Sequence, residues 1–301
     1  MKNLLKLMDL SEREIIEILN TADQLKFEKK NGIPHKLLEG KSLGLIFAKS
    51  STRTRVSFEV AMYDLGGNSL FLSSRDLQIG RGEVVQDTAR VLSRYLDGIM
   101  IRTFDQKEVE ALAEFGTIPI INGLTDYCHP CQVLADLMTI REYKGTFKGR
   151  KLCYVGDGNN MTNSLIVGGI KLGMEVAVAC PKGYEPDADI MKWAYENGKF
   201  TCGTDVLACA ENADVLYTDV WASMGQESEA EERKKVFKTY QINDEVMKCA
   251  KNDAMVLHCL PAHREEEITS KVFEAHSAEI FDEAENRLHA QKAVLVKCLR
   301  D

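Results

Sequence analysis

The segment Lys49-Ser50-Ser51-Thr52-Arg53-Thr54-Arg55 sets three cations among hydroxyl side chains. It follows a short apolar run, Ser42 to Ala48, and leads into a helical stretch from about Arg53 to Leu65 that Gly66-Gly67 closes. A helix N-terminus presents unpaired N–H groups and the positive end of the helix dipole, so such a corner suits an anion. Ser51, Thr52 and Thr54 add hydroxyl donors, and Arg53 adds a bidentate fork. A capped helix with a basic first turn is the plainer reading. Cations crowded at a positive dipole end favour the anion. No G-x-x-x-x-G-K-[ST] pattern occurs, so this is not a nucleotide phosphate loop.

Further donors follow other apolar runs. Arg102 comes directly after Ile99-Met100-Ile101, and His129 and Gln132 come after Ile118 to Ile121. The last two open the next helix one turn apart on one face. Four strand-end positions thus converge on one chemistry. Cys128-His129-Pro130-Cys131 also has the spacing of a redox pair, but the chain lacks a thioredoxin-like context. A zinc site would need a second Cys/His pair at ligand spacing, which is missing.

The second half offers different groups. Val155-Gly156-Asp157-Gly158-Asn159-Asn160 begins like a dinucleotide fingerprint, but Met161 replaces its third glycine. The next strand ends in Ala179-Cys180-Pro181 without an acidic residue, so a nicotinamide cofactor is a poor fit. An Asn-rich turn suits a small polar ligand. The run Val215 to Thr218 ends in Asp219, with Ser223-Met224-Gly225 beyond it. The run Met255 to His258 ends in Cys259-Leu260-Pro261-Ala262-His263-Arg264. A carboxylate and a thiol at adjacent strand ends can handle an amine or act as nucleophile and partner. His258 and Cys259 point to opposite faces of a strand, which argues against a cysteine hydrolase. Gln226 to Tyr240 is highly charged and reads as a solvated loop and helix.

These residues need elements to hold them. Ser11-Glu12-Arg13-Glu14 is a capping box ahead of apolar residues at helical spacing, from Ile15 to Leu25. Pro130 is well placed to open a helix that carries Val133, Leu134, Leu137, Met138 and Ile140 inward and ends near Gly145. Strands are expected at Lys151–Val155, Glu175–Ala179, Val215–Thr218 and Met255–His258. Helices alternate with them at Asn163–Leu172, Asp187–Glu196 and Asn243–Ala250, and Glu285–Leu299 is helical. Alternation in both halves gives an α/β fold of two similar-sized domains, each an open, mainly parallel sheet flanked by helices. Expected bounds are 1–134, with a C-terminal helix at 286–301 packing back onto it, and 135–285.

A chain of 301 residues, 45% hydrophobic, can bury two cores. Lys and Arg total 38 against 46 Asp and Glu, a net charge of −8. That balance argues against a nucleic-acid or anionic-membrane footprint, so any anion site must be built locally. No apolar stretch reaches the roughly 18 residues that cross a bilayer, and Met1 to Leu10 lacks a signal-peptide pattern. Nine cysteines without framework spacing read as reduced thiols, and the expected compartment is the cytoplasm.

Taken together, these pieces resemble the ornithine carbamoyltransferase family over nearly the whole chain. Ser51-Thr52-Arg53-Thr54-Arg55 looks like its carbamoyl-phosphate motif and His129-Pro130-Cys131-Gln132 like its second. Asp219 with Ser223-Met224-Gly225 resembles the ornithine loop, and His258-Cys259-Leu260-Pro261 the late motif. The first two are shared with aspartate carbamoyltransferases, which carry proline where Cys259 stands. Putrescine-using relatives depart at Ser-Met-Gly. The resemblance implies that Ser51, Thr52, Arg53 and Thr54 hold phosphate, and that Arg102, His129 and Gln132 hold the carbamoyl carbonyl and nearby oxygens. Gln78 would reach phosphate from a neighbouring subunit, and Arg287 would complete that site. Cys259 and Leu260 would offer carbonyls to the carbamoyl NH₂. Asn160, Asp219, Ser223 and Met224 would bind ornithine. Arg102, His129, Asp219 and Cys259 would act in catalysis. The resemblance further implies a homotrimer or multiple of trimers and carbamoyl phosphate and L-ornithine as partners. Nothing in the residues calls for a metal or organic cofactor.

Overall fold

The computed structural model describes residues 1–73, 82–222 and 227–300. The chain divides into two compact units, Met1–Leu134 with Arg287–Asp301, and Ala135–Asn286. The elements of the first unit are α1 (Glu12–Lys30), β1 (Ser42–Phe47), α2 (Thr52–Asp64), β2 (Asn68–Ser73), α3 (Val85–Leu92), β3 (Gly98–Arg102), α4 (Gln106–Phe115) and β4 (Ile120–Leu124). Helix α5 (Pro130–Lys144) starts in this unit and continues into the next. The second unit adds β5 (Lys151–Val155), α6 (Asn160–Lys171), β6 (Glu175–Ala179), α7 (Ala188–Asn197), β7 (Phe200–Gly203), α8 (Val206–Ala210), β8 (Val215–Thr218), α9 (Ala230–Phe237), α10 (Asp244–Cys249), β9 (Met255–His258) and α11 (Ser270–Ala275). Helix α12 (Ser277–Leu299) closes the chain.

Both sheets are parallel, which makes this the expected α/β architecture. The first has strand order β2-β1-β3-β4, and the second β7-β6-β5-β8-β9. Each order reverses once, between β1 and β3 and between β5 and β8. In open α/β sheets the crevice beyond the strand ends at such a reversal is where ligands bind. Ser51 to Thr54 follow β1 and Arg102 ends β3, while the turn at Gly156–Asn160 follows β5 and Asp219 follows β8. Topology therefore puts the chemically distinctive residues at both reversals.

Helices cover the sheets, so the central strands read as apolar runs. Leu43, Leu45 and Ile46 of β1 and all of β3 are buried, and Ile46, Ile99, Ile101 and Ile120 share one core cluster. In the second unit Cys153 and Val155 of β5, Leu216 of β8 and Val256 of β9 pack with Phe237, Tyr240 and Phe273.

The expected capping box is present: the Ser11 hydroxyl accepts from Glu14 N, and the Glu14 carboxylate accepts from Ser11 N. Several elements differ from the reading of the sequence. β4 runs Ile120–Leu124 rather than Ile118–Ile121. Asn122 is tolerated inside it because its backbone N–H reaches Leu4 O and its side chain donates to Leu5 O. β2 and β7 carry no clear pattern in the sequence, because at these two sheet edges the side chains are only partly covered. Helix α12 begins eight residues earlier than expected, at Ser277 against 285, where Ile280 and Glu283 are buried. Helix α9 is not simply a solvated face. Its Arg233 is buried and bonds Asp157 Oδ2 at 2.8 Å and Trp221 O at 2.9 Å.

Candidate active site

In the first unit the chain builds a buried cationic corner. Ser51 caps α2, its Oγ accepting from Thr54 N at 3.3 Å and donating to Thr54 Oγ1 at 3.1 Å. Thr54 is fully buried, and its hydroxyl also accepts from Arg102 Nη1 at 3.5 Å and Arg287 Nη2 at 3.0 Å. The other arm of Arg287 donates to Gln132 Oε1 at 2.7 Å. β1, β3, α5 and α12 thus bring two buried guanidinium groups to one hydroxyl at a helix N-terminus. Like charges so placed repel, and the arrangement suits an anion with several acceptor oxygens.

His129 stands beside them, buried at the start of α5. Burial, then the charges of Arg287 and Arg102, hold its imidazole well below the ordinary histidine range, so the ring is neutral. A neutral ring can donate a hydrogen bond to a carbonyl oxygen without bringing a third charge.

The other two cations of the segment serve elsewhere. Lys49 is buried, with its Nζ 4.4 Å from the centre of the Phe104 ring and paired to Asp126. Arg55 pairs with Glu59 at 2.9 Å and stacks 3.7 Å from the centre of the Phe71 ring. Sequence grouped all three at one dipole end. Side-chain direction along the helix sends Arg55 away from the corner.

Cys128 and Cys131 do not form a redox pair. The Cys128 thiol donates to Leu5 O at 3.6 Å and Cys131 to Asn122 O at 3.3 Å, and burial pushes both thiols up to about 12.

In the second unit Asp219 is the centre. Its Oδ1 accepts from the Cys259 thiol at 3.1 Å and from Val220 N at 2.8 Å, and its Oδ2 from Asn159 Nδ2 at 3.0 Å. A carboxylate has about four acceptor positions, so among the described residues one on Oδ2 remains for a ligand donor. Burial, then the Asp219 and Glu283 carboxylates, raise the Cys259 thiol well above its ordinary range. It is a protonated donor rather than a thiolate nucleophile.

The turn after β5 places Asn159 as N-cap of α6, accepting from Met161 N and Thr162 N. Gly158 is required there. A Cβ would lie 2.3 Å from Glu185 C and Pro186 N.

The loop after β9 is held from below. His258 Nδ1 accepts from Leu260 N at 2.9 Å, and its Nε2 meets the Glu267 carboxylate at 3.0 Å. Glu283 accepts from His258 N at 2.9 Å and from the Tyr217 hydroxyl at 3.1 Å. With these bonds Leu260 adopts the left-handed backbone at φ 59°. Both His258 nitrogens are engaged, by Leu260 N and Glu267, and the Cys259 thiol bonds Asp219 instead, which argues against the hydrolase reading. Asp219, His258 and Cys259 also lie close enough to share a metal ion, but their ligand atoms are committed to the bonds above.

Arg53, Thr52 and Asn160 sit at the helix starts, Thr52 and Asn160 as the first residues of α2 and α6. Gln78, Ser223 and Met224 lie outside the described residues. Sequence reading passed over Asn159, which touches Asp219, and over Glu283 and Glu267 beneath the β9 loop. Both acids are fully buried in helical or loop segments with no local pattern to mark them.

The family model described as the aspartate/ornithine carbamoyltransferase carbamoyl-P binding domain matches residues 2–142, and that described as the Asp/Orn binding domain matches residues 148–298. The chain belongs to the aspartate/ornithine carbamoyltransferase family. An ornithine carbamoyltransferase of Pyrococcus abyssi is 57% identical, with 99% of this chain and 96% of that protein covered. One from Methanosarcina mazei is 53% identical over 99% of both. The solved ornithine carbamoyltransferase of Pyrococcus furiosus superposes with a TM-score of 0.95 at 56% identity, covering 99% of this chain and 97% of that one. Within this family the cationic corner falls in the carbamoyl-phosphate-binding half, and the Asp219–Cys259 pair falls in the amino-acid-binding half.

Proposed function

We infer that this protein is an ornithine carbamoyltransferase: it transfers the carbamoyl group of carbamoyl phosphate to the side-chain amine of L-ornithine, giving L-citrulline and phosphate. One observation carries the choice of amine. Asp219 is a buried carboxylate that, among the described residues, keeps an acceptor position beside a protonated thiol. Such a pair favours a cationic diamino acid and repels a dicarboxylate such as aspartate.

The phosphate is held by Ser51, Thr52, Arg53 and Thr54 at the α2 N-terminus, completed by Arg287 and by Gln78. Arg102, His129 and Gln132 hold the carbamoyl oxygen, and the carbonyls of Cys259 and Leu260 take its NH₂. Asn160, Asp219, Ser223 and Met224 bind ornithine. The attacking amine must be neutral, since an ammonium of pKa about 10 has no free electron pair. Asp219 orients the amines and Cys259 holds the reactive one. As the nitrogen attacks, negative charge grows on the carbamoyl oxygen, where Arg102 and the neutral His129 ring stabilise it and Thr54 offers a third donor. The leaving phosphate takes the last proton, and no covalent enzyme intermediate is needed. Positioning two bound substrates supplies about 7–11 kcal/mol of the barrier reduction.

The assembly is a homotrimer or a multiple of trimers, in the cytoplasm. Support comes from the first unit, where edge strand β2 exposes Leu70 and Phe71, and Val56, Tyr63 and Tyr95 are also exposed. Apolar surface of this kind is what subunit contacts cover.

The deciding experiment is product formation from carbamoyl phosphate with ornithine, putrescine, lysine and an acylated ornithine separately. Ornithine is expected to exceed the others at least tenfold in kcat/KM. A better rate with any of them overturns the assignment.

A further inference from the structure

The carboxyl ends of β6 and β7 carry two thiols outside the site described above. Cys202 of β7 is in register with Val178 of β6, and Cys180 follows two residues beyond Val178, hence on the same face. Their Sγ atoms are 3.8 Å apart. Cys180 is buried and Cys202 half-buried, so Cys202 is the one that solvent reaches. A neighbouring thiol does not compete: Cys209 donates to Val178 O at 3.5 Å. The hydrogen-bonding contact between the two thiols lowers the pKa of Cys202, while the same contact and burial raise that of Cys180. An accessible thiolate-forming cysteine beside a resolving one is the arrangement of reversible peroxide chemistry.

We propose that Cys202 and Cys180 form a reversible thiol–disulfide centre that reacts with hydrogen peroxide and acts on ornithine binding. The Cys202 thiolate attacks one peroxide oxygen, the O–O bond breaks, and hydroxide leaves with a proton as water. The resulting Cys202 sulfenic acid is attacked by Cys180 Sγ, the S–O bond breaks, and a second water leaves. Two thiols lose two electrons and two protons, and one peroxide becomes two waters. The sulfurs close from contact distance to about 2.05 Å.

That movement starts at the first residue of the corner 180–187. Tyr184 O in this corner accepts from Gly158 N at 2.8 Å, and Gly158 has no space between its own backbone and that of 184–186. Displacement of the corner therefore passes to the Gly156–Asn160 turn, whose Asn159 bonds Asp219. The effect on ornithine rests on the function proposed above.

Pre-reduced full-length enzyme is treated with hydrogen peroxide, alkylated and mapped by mass spectrometry, with ornithine and carbamoyl phosphate kinetics measured before and after dithiothreitol. The expected result is a 180–202 linkage ahead of any other cysteine oxidation, and a several-fold rise in KM for ornithine that dithiothreitol reverses. Cys202→Ser should show neither, and Cys180→Ser should hold a sulfenic acid at 202 that dimedone traps. Absence of the linkage, a linkage of Cys202 to Cys209, an unchanged KM in linked enzyme, or the same KM rise in Cys202→Ser would each overturn the proposal. In all of those cases the reduced enzyme still makes citrulline. Its failure to do so would instead refute the ornithine assignment.

Discussion

Arg233→Met removes a buried ion pair with Asp157 together with a second pair to the exposed Glu229 at 3.1 Å. Arg233 and Asp157 are each 6% exposed, and the guanidinium also donates to Trp221 O. Removing the cation leaves a buried carboxylate uncompensated, a change that costs about 3–5 kcal/mol. The abandoned Trp221 carbonyl adds about 1 kcal/mol. Part of this is recovered because burial already holds the Asp157 carboxyl above its ordinary range, so it protonates more readily. A net loss of about 3 kcal/mol is expected at pH 7, roughly 6–12 °C in Tm for a unit of this size. Both tryptophans, Trp193 and Trp221, lie in the second unit, so their fluorescence follows its unfolding alone. The pH dependence has a definite sign. A carboxyl whose folded pKa is raised destabilises the protein above its unfolded pKa, and the penalty fades as pH falls. The deficit of Arg233→Met should therefore be smaller at pH 5 than at pH 8, and Asp157→Asn added to it should restore stability. A loss under about 1 kcal/mol, or a double variant less stable than Arg233→Met, would show that the pair behaves as a surface bridge.

Arg287→Met strips Thr54 and Gln132 of a charged donor and should lower kcat/KM for carbamoyl phosphate roughly 100-fold, from about 1.5–3 kcal/mol per lost charged bond; a change under about threefold would remove Arg287 from the anion site. Arg53→Ala should likewise cripple carbamoyl-phosphate use, and near-normal steady-state rates would show that the α2 corner does not grip phosphate. Cys259→Ser should slow turnover and weaken ornithine binding while calorimetry finds carbamoyl-phosphate affinity retained; unchanged kinetics would exclude the thiol from the reaction. His129 and His35 are both held below the ordinary histidine range, His129 by burial and two arginines, and His35 by burial and Lys292, whose Nζ is 3.1 Å from its Nε2. A lowered folded pKa gives stability that is complete above the unfolded value of about 6.5 and lost as pH falls through it. Calorimetric Tm should drop between pH 7 and pH 5, and His35→Gln should flatten part of that drop; a flat profile in the parent protein would contradict the assignment.

The sequence alone determined which segments are strands and helices wherever burial on both faces or a cap imposes a local pattern. The apolar runs of β1, β3, β5, β8 and β9, the Ser11 capping box and the Pro130 helix start are of that kind. It also marked the cationic corner, because hydroxyls and arginines at a strand-to-helix junction are a local signal. Edge strands β2 and β7 gave none, since half-covered side chains do not need to be apolar. Arg102 was legible as a donor at a strand end and Arg287 through the family resemblance, but their meeting at one hydroxyl was a tertiary decision. Arg102 and Arg287 meet at Thr54 although 48 and 233 residues separate them from it, while adjacent Lys49 and Arg55 turn to Asp126 and Glu59. The protonation states were decided the same way. A histidine is neutral and a thiol protonated because burial, and then arginines and carboxylates distant in sequence, disfavour their charged forms, and a charge's energy depends on distance and burial that linear spacing does not encode.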